Sequence, residues 1–418
     1  MIIIFGGTTE GRIAAKVLDE AGSPYYYSTR GNAQQIECKH GICVTGGLDS
    51  NAMLEFCTTH DIRLIIDAAH PFASLLHSTV ASVSEQLDIP VIRLERRYPP
   101  RDESLVWCDS FDDAIDYLES HEINHLLALS GVQTIGKLRR YWEKHACHFR
   151  VLDREDSRTL AKQTGFPEKN LLFWHEGQDE LALFRQLHPG AILTKESGES
   201  GYYEEKVTAA RQLGIPVIVI RRPPLPDSFY TVNGEHGLRY HVERLLPGFY
   251  PLRSGFTTGS CATAATRAAL RGLLTRETQH SATITLPDGE TVTLPVSSCV
   301  FTDSNCTCGV IKDAGDDPDV TNGYTVLSTV SLTTQPGIQF LPGEGVGTIP
   351  LPGIGIPIGE PAINQTPRRM ITNEIEQLLH SHGLHSGVSV RISVPGGSEL
   401  AKKTFNPRLG ITGGISII

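Results

Sequence analysis

The 418-residue sequence has no long apolar run, no excess of positive charge and no targeting segment at its start. None of its apolar stretches approaches the roughly 20 residues that a membrane-spanning helix needs, and no basic and apolar leader precedes the first strand. We therefore expect a cytoplasmic protein that does not enter a membrane. Asp and Glu outnumber Lys and Arg, 47 against 37, and the net charge of −10 argues against nucleic acid as a partner. A local cluster of cations would still bind an anionic small molecule.

Cysteines at metal-binding spacing are also missing. The nine cysteines form no C-x-x-C pair, and the close pair Cys306 and Cys308 has no second half at zinc-site spacing. Scattered thiols are typical of proteins in a reducing compartment. We therefore expect no structural disulfide and no metal bound by the protein.

The first 250 residues alternate between short apolar runs, such as Ile2–Phe5 and Pro216–Ile220, and helical patterns. This alternation predicts an α/β fold with parallel sheets and right-handed crossover connections. The runs form two blocks that divide between residues 95 and 125. We predict two Rossmann-like lobes, at residues 1–110 and 111–246, with a ligand cleft at the carboxyl ends of their strands.

The composition changes after Pro247-Gly248, where threonine, glycine and proline become more frequent. The strand-like runs Ala282–Leu286 and Thr291–Val296 flank a hairpin turn, and we predict a separate α+β domain at residues 253–418. This domain opens with RSGFTTGSCATAATRAA, in which small hydroxylated residues precede an alanine-rich helix. The start of that helix is either an anion site or a well-capped helix end.

A glycine-rich turn, FGGTTEG, follows the first strand and leads into the first helix. This position suits a dinucleotide phosphate, because glycines let the backbone approach the pyrophosphate. A tight strand–helix turn is the alternative. The second strand ends in hydroxyl groups and a guanidinium without a carboxylate, which favours the 2′-phosphate of NADPH over NADH, although an arginine there is also compatible with simple solvation. The candidate cofactor residues are Gly6, Gly7, Thr8, Glu10, Gly11, Ser28, Thr29 and Arg30.

Candidate catalytic groups lie at two other strand ends. His70 follows the third strand and either donates a proton or hydrogen-bonds a substrate carboxylate, or it only completes a turn. Lys195 and Ser197 end a strand of the second lobe, where they suit an anion clamp. Arginines 93, 96, 97, 221 and 222 also follow strands. We expect the substrate-binding cations to be Arg93, Arg97, Lys206 and Arg222.

Tyr202 and Lys206 have the Y-x-x-x-K spacing of short-chain dehydrogenases, in which lysine lowers the pKa of the phenol. A dehydrogenase using this pair is one alternative, although in that family the pair lies within a single sheet and not in a second lobe. A nucleotide-binding scaffold without catalysis is another alternative.

The runs GGTTEGR, DAAHPFA and TKESGESGYYEEKVTAARQLGIPVIVIRRP occur in this order, and together they resemble precorrin-6A reductases over residues 1–245. The resemblance implies two Rossmann-like lobes and hydride transfer from NADPH to a double bond of an anionic tetrapyrrole in cobalamin biosynthesis. It also implies that the glycine turn holds the nucleotide and that His70, Lys195 and Ser197 line the cleft. Other enzymes of that pathway are candidate partners.

The second half carries KDAGDDPDVT at 312–321, AIN with PR at 362–368, and NPRLGITGGIS at 406–416. Four aspartates in the first run suit either a hard cation or turns and caps. With RSGFTTGSCATAATRAA, the runs resemble the cobalt-precorrin-5B C1-methyltransferases of the CbiD type. The resemblance implies S-adenosylmethionine as methyl donor and site residues Thr257, Thr258, Cys261, Asp313, Asp316 and Asp317.

Relatives of this type continue beyond the equivalent of GITGGISI. We therefore expect the methyltransferase portion to be partial and inactive in this form. A strand that ends there would expose its apolar residues Ile415, Ile417 and Ile418 and favour aggregation.

Overall fold

The computed structural model describes residues 1–31, 36–350, 356–404 and 410–418. Its first part alternates strands and helices, which are β1 Ile2–Phe5, α1 Thr9–Asp19, β2 Tyr25–Thr29, β3 Gly41–Thr45, α2 Ser50–Thr59, β4 Leu64–Asp67, α3 Ser74–Leu87, β5 Val91–Leu94, β6 Val106–Cys108, α4 Phe111–Ser120, β7 His125–Ala128, α5 Arg139–Trp142, β8 Ala146–Leu152, α6 Glu155–Thr164, β9 Leu171–Trp174, α7 Glu180–Leu187, β10 Ala191–Lys195, α8 Tyr203–Gln212, β11 Val217–Ile220, β12 Tyr230–Val232 and α9 Glu235–Leu245.

These strands form two six-stranded parallel sheets. The first has the order β12-β5-β4-β1-β2-β3, and the second has the order β6-β11-β10-β7-β8-β9. The central strands are continuous apolar runs because helices cover both faces of each sheet. In β1, for example, Ile2, Ile3 and Ile4 are completely buried. The predicted α/β fold with two parallel-sheet lobes is confirmed.

The chain passes between the two sheets twice. It leaves the first sheet after β5 and enters the second at β6, and after β11 it returns so that β12 pairs with β5. Helix α9 then packs against α1, where Tyr250 donates a hydrogen bond to the carbonyl of Val17. Residues 230–245, which the sequence assigns to the second lobe, therefore belong structurally with the first sheet.

The second half is a separate sheet-rich unit. Its elements are α10 Thr258–Thr275, β13 Ser281–Thr285, β14 Thr291–Pro295, β15 Ser298–Phe301, β16 Asn305–Ile311, β17 Thr325–Thr333, β18 Ile338–Leu341, α11 Gln365–Ser381, β19 Gly387–Ser393 and α12 Gly397–Ala401. Strands β13 and β14 form a hairpin, and the five-stranded sheet has the order β15-β16-β17-β19-β18. Only the β18–β19 pair of this larger sheet is parallel.

Helix α10 lies across this sheet because most of its residues are small. Its N-cap residue Thr257 accepts a hydrogen bond from the backbone N–H of Ser260, and Ala262, Ala265 and Ala269 are completely buried. Small side chains let the helix axis approach the strands closely. None of the described helices is long and apolar enough to cross a membrane.

The expected exposure of the final apolar residues is wrong for two of the three. Ile415 forms a bridge with Val346, Ile417 forms one with Ile363, and both isoleucines are buried in the core of the second half. Ile418 alone is exposed, at 58%. The chain thus ends between two segments that cover its apolar side chains. Residues 406–409 of the preceding motif lie outside the described residues.

Side chains join the two halves at the start of α9. Glu290, which follows the β13–β14 turn, is 1% exposed and accepts hydrogen bonds from the backbone N–H groups of His236 and Gly237. Asn233 donates its amide N–H to the Thr291 hydroxyl and accepts a hydrogen bond from the Thr291 backbone. The hairpin of the second half thus caps a helix of the first.

Candidate active site

The segments that follow β1, β5 and β10 meet, so the carboxyl ends of the two parallel sheets face each other. Ser200 donates a hydrogen bond of 2.6 Å to Glu10 Oε1, and the Arg96 guanidinium lies 3.2 Å from Glu10 Oε2. Arg96 Nη1 also donates to the carbonyl oxygen of Ser197 at 2.9 Å. These contacts bring strand ends of both lobes to one place, which is where ligands bind in open α/β sheets.

The glycine turn after β1 packs tightly on Tyr27. A Cβ atom at Gly6 would lie 2.3 Å from the Tyr27 ring, and one at Gly11 would lie 2.6 Å from its hydroxyl oxygen. Gly7 has a φ of 91° and donates its backbone N–H to that hydroxyl at 3.1 Å. The glycines are therefore required by the contact with Tyr27. This geometry agrees with the alternative of a tight strand–helix turn, and the N–H of Gly7 already has a partner.

Thr8 and Glu10 have internal roles in the same turn. The Thr8 hydroxyl caps α1 by accepting from the N–H of Gly11, and it donates to the carbonyl of Ala68 after β4. Burial opposes ionisation of Glu10, but the Arg96 guanidinium and the Ser200 hydroxyl outweigh it and lower the pKa of the carboxyl. Glu10 is thus an anionic link between the lobes, and its predicted contact with the nucleotide finds no support in this geometry.

The three predicted 2′-phosphate residues differ in accessibility. Ser28 is buried, Thr29 is half-buried and donates its hydroxyl to the carbonyl of Gly31, and Arg30 is exposed. Within the described ranges, Arg30 forms no ion pair with a carboxylate. Its guanidinium is therefore available to an external anion at the carboxyl end of β2.

His70 lies half-buried after β4, and its Nδ1 accepts a hydrogen bond of 3.1 Å from the backbone N–H of Phe72. This contact leaves the proton of the neutral ring on Nε2. Burial, followed by the charges of Lys195 and Arg96, lowers the pKa of His70 to about 3. The ring is consequently neutral near pH 7 and presents a neutral N–H donor instead of an imidazolium.

Lys195 is the last residue of β10, and its Nζ lies 5.0 Å from the centre of the Phe72 ring. Burial, together with the neighbouring charges of Lys137 and Arg96, lowers the pKa of Lys195 to about 8. Across the part of the chain that the structure describes, no carboxylate forms an ion pair with it. The structure brings Lys195 close enough to His70 for its charge to affect the ring. No carboxylate among the described residues neutralises that charge.

Arg93 is not available to a substrate, contrary to the prediction. Its side chain is completely buried, donates to Asp67 Oδ1 at 2.9 Å and pairs with Glu95 at 3.3 Å. Asp67 also contacts His77 Nδ1 at 2.6 Å. Burial raises the pKa of Asp67, but the His77 hydrogen bond and the Arg93 charge outweigh it and lower the pKa overall. This network behind His70 was not predicted, because nothing in the sequence pairs these residues.

The other predicted substrate cations also have partners in the protein. Arg97 Nη1 donates to the carbonyl of Asp288 in the second half at 2.9 Å. Arg222 pairs with Glu196 at 3.1 Å. Lys206 is 9% exposed and donates to the carbonyl of Gly201, so its predicted substrate contact is unsupported. The sequence placed Arg96 only among several strand-end arginines, yet Arg96 is the arginine that contacts both lobes in the cleft.

Tyr202 does not share a helix face with Lys206. It precedes α8 in the left-handed conformation, with a φ of 53°, and its ring packs on Trp174 at 5.5 Å. Since Lys206 is directed to the carbonyl of Gly201, the geometry does not support the short-chain dehydrogenase alternative. Ser197 donates weakly to the same carbonyl, at 3.4 Å.

Of the six predicted methyltransferase residues, Thr257 lines one cavity, and Cys261 and Asp313 line another. A cavity of 420 Å³ at the start of α10 is lined by Thr257 and by residues of both halves, including Tyr240 and Asp288. A second, of 320 Å³, is lined by Cys261 and Asp313. Thr258 is instead buried, with its hydroxyl 3.4 Å from that of Thr321.

Cys261 and the aspartates have structural partners or lie at the surface. Cys261 is 1% exposed, and burial raises its pKa to about 12, so the helix start does not produce a reactive thiolate. Asp313 pairs with the Arg253 guanidinium, and Asp316 accepts from the Arg253 backbone N–H. Asp317 is exposed. The aspartate run therefore anchors the segment that leads into α10.

Comparison with known proteins separates the same two halves. A family model described as "Precorrin-6x reductase CbiJ/CobK" matches residues 1–237, and the CbiD family model matches residues 248–418. A solved structure of "CobK precorrin-6A reductase" covers 60% of this chain and 98% of its own, with a TM-score of 0.50 and 21% identity. At that identity, the likeness shows a shared fold.

Curated relatives include proteins named as cobalt-precorrin-5B methyltransferases. "Cobalt-precorrin-5B C(1)-methyltransferase" of Geobacillus kaustophilus (strain HTA426) is 55% identical over 167 residues, which are 40% of this chain and 45% of the relative. The protein of the same name from Pseudomonas putida (strain GB-1) is 50% identical over 168 residues, which are 40% and 46%. The chain thus spans less than half the length of these relatives. Over residues 1–237 the chain belongs to the precorrin-6x reductase family, and residues 248–418 match the CbiD family over less than half the length of its curated members.

Proposed function

We propose that the first half reduces a carbon–carbon double bond of an anionic corrin precursor, precorrin-6A or its cobalt form, with NADPH. The observation that carries this proposal is Lys195, a half-buried cation without a carboxylate partner among the described residues, at the point where the strand ends of both sheets meet. Tetrapyrroles of this class carry many carboxylates. A cation held in this position would attract one of them strongly, because partial burial reduces screening by solvent.

The end of β2 suits the 2′-phosphate of NADPH. Arg30 is exposed and free of ion pairs among the described residues, and no carboxylate occurs in the adjoining Ser28, Thr29 or Gly31. The chemistry that NADPH supplies when bound is a hydride for the double bond. We infer that Arg30 and the hydroxyl of Thr29 select the phosphorylated cofactor. The turn at Gly6 and Gly7 would leave space for the cofactor, but the N–H of Gly7 would not bind it, because this N–H donates its hydrogen bond to Tyr27.

The protein groups around the cleft bind and orient the substrate. Lys195 holds a substrate carboxylate, and His70 donates its Nε2–H to a nearby acceptor. His70 is a poor source of the proton that completes the reduction, since its pKa of about 3 leaves it neutral at physiological pH. We infer that His70 and Ser197 act in positioning, and that holding donor and acceptor together provides most of the rate enhancement.

The test is an anaerobic assay of NADPH oxidation with precorrin-6A and, separately, with its cobalt form. Replacing Lys195 by Met should lower kcat/KM by at least about tenfold, since one lost charge-assisted contact is worth roughly 1.5–3 kcal/mol. Lys162→Met removes an exposed lysine of α6 and is the matched control. Unchanged kcat/KM in Lys195→Met, or no NADPH oxidation with either macrocycle, would contradict the proposal.

Cofactor choice has its own test. Arg30→Ala should weaken NADPH binding and leave NADH binding almost unchanged, as measured by fluorescence titration of each cofactor. An equal loss for both cofactors would show that Arg30 does not contact the 2′-phosphate.

For the second half we propose descent from an S-adenosylmethionine-dependent C1-methyltransferase. Because the match covers 45% of the curated relative, we expect this 418-residue polypeptide to transfer no methyl group by itself. Incubation with methyl-labelled S-adenosylmethionine and cobalt-precorrin-5B measures this directly. Label in the macrocycle would contradict the expectation.

A further inference from the structure

Three cysteine thiols meet in the second half, although they come from two strands. In the antiparallel pair β15–β16, Cys299 lies opposite Cys308. Cys306 lies two residues before Cys308 and therefore on the same face of the strand. The Sγ atoms of Cys299 and Cys306 are 3.8 Å apart, and those of Cys306 and Cys308 are 3.9 Å apart. All three sulfur atoms lie within 4.8 Å of one another.

The cluster is enclosed by helix α10. Cys306 and Cys308 are completely buried, while Cys299 is half-buried and open to solvent on one side. A Cβ atom at Gly272 of α10 would lie 3.2 Å from Cys306 Sγ, so this glycine makes room for the sulfur. The described residues of the group include no histidine, aspartate or glutamate. The donor set is therefore three sulfur atoms with one accessible side.

We propose that Cys299, Cys306 and Cys308 form a three-coordinate site for a thiophilic d10 metal ion, with Cu(I) as its preferred occupant. Thiolates select soft ions such as Cu(I), whereas hard ions require oxygen ligands. Structural zinc sites have four protein ligands, one more than this cluster offers. Metal–sulfur bonds of about 2.3 Å would place three sulfur atoms in a plane about 4 Å apart. The separations of 3.8 and 3.9 Å match that arrangement for two of the three pairs, and the third pair, Cys299 and Cys308, lies within 4.8 Å.

Binding involves no change of oxidation state. Cu(I) displaces the remaining thiol protons, which are released to solvent, and the three resulting thiolates each donate an electron pair to the ion. The half-buried Cys299 provides the route of entry. A disulfide would be a different outcome, since its sulfur atoms must come to about 2.05 Å, well inside the present 3.8 Å.

The test is a Cu(I) titration of the reduced full chain without oxygen, in competition with the chromophoric ligand bathocuproine disulfonate. One equivalent of copper should be withheld from the competitor. Cys306→Ser and Cys299→Ser should each weaken its binding by more than about 100-fold, because loss of even an outer-shell partner costs roughly 10- to 100-fold. X-ray absorption of the loaded chain should show three sulfur neighbours.

Cys57→Ser is the matched control, because Cys57 is 2% exposed and lies far away in α2. It should bind copper as the unaltered chain does. If Cys306→Ser fails to fold, Cys299→Ser decides the matter, because Cys299 is only half-buried. Copper affinity that is unaffected by Cys299→Ser, no retained copper, or fewer than three sulfur neighbours would overturn the proposal.

Discussion

Lys195 is a partly buried lysine whose charge has no carboxylate partner among the described residues. A buried charge is normally paired, since removing it from water without a partner costs free energy. Lys195 instead faces Phe72 and His70, and no carboxylate among the described residues forms an ion pair with it. Ion pairs within the protein also explain why two of the predicted substrate-binding arginines are not available to a substrate. Arg93 and Arg222 already satisfy carboxylates of the protein, at Asp67 and Glu196.

The charge of Lys195 gives the reductase a pH dependence. With its pKa lowered to about 8, the ammonium group is charged below that pH and neutral above it. The KM for an anionic macrocycle should therefore rise as the pH increases through about 8, while kcat changes less. Lys195→Arg should abolish this rise, because arginine stays charged. A KM that is independent of pH between about 7 and 9 would contradict this assignment of Lys195.

The turn between β1 and α1 can be recognised from the sequence, but the side chain on which it packs cannot. The glycine run correctly marked a strand–helix turn, but Tyr27 contributes from the neighbouring β2. Gly6→Ala should lower the free energy of unfolding by about 1–3 kcal/mol in the absence of any cofactor, because the added methyl group overlaps the Tyr27 ring. Chemical denaturation measures this change.

Gly31→Ala is the control for that variant, because a Cβ atom there meets nothing within 4 Å. Equal stability of Gly6→Ala and the unaltered chain would mean that the turn does not press on Tyr27. The glycine would then be explained by a ligand alone.

The central strands of both sheets were predictable because they are buried on both faces. Ile2–Phe5 and Val217–Ile220 are continuous apolar runs, and the sequence located both to within one residue. The outer strand β3 was not predicted, since Gly41–Thr45 is largely exposed and lacks such a run. Pairings between side chains were also unpredictable. The thiol cluster depends on a cross-strand register that places Cys299 beside the C-x-C pair.

On the scale of the whole molecule, the two halves are joined by buried polar contacts as well as by the chain. Glu290→Gln should lower the free energy of unfolding by about 1–3 kcal/mol, because the buried carboxylate satisfies two backbone N–H groups at the start of α9. Glu376→Gln, at an exposed position of α11, should have little effect. Denaturant unfolding followed by separate probes in each half measures both variants. Identical curves for Glu290→Gln and the unaltered chain would show that this cap does not join the halves.

The double passage of the chain between the parallel sheets restricts how the lobes can move. Two covalent connections, one after β5 and one after β11, link the same pair of bodies. Relative rotation is then easiest about the line through both connections, and sliding or twisting is opposed. A single proteolytic cut at either connection would leave the lobes tethered by the other. Opening to admit a wide, flat macrocycle would therefore follow one direction, fixed by the path of the backbone.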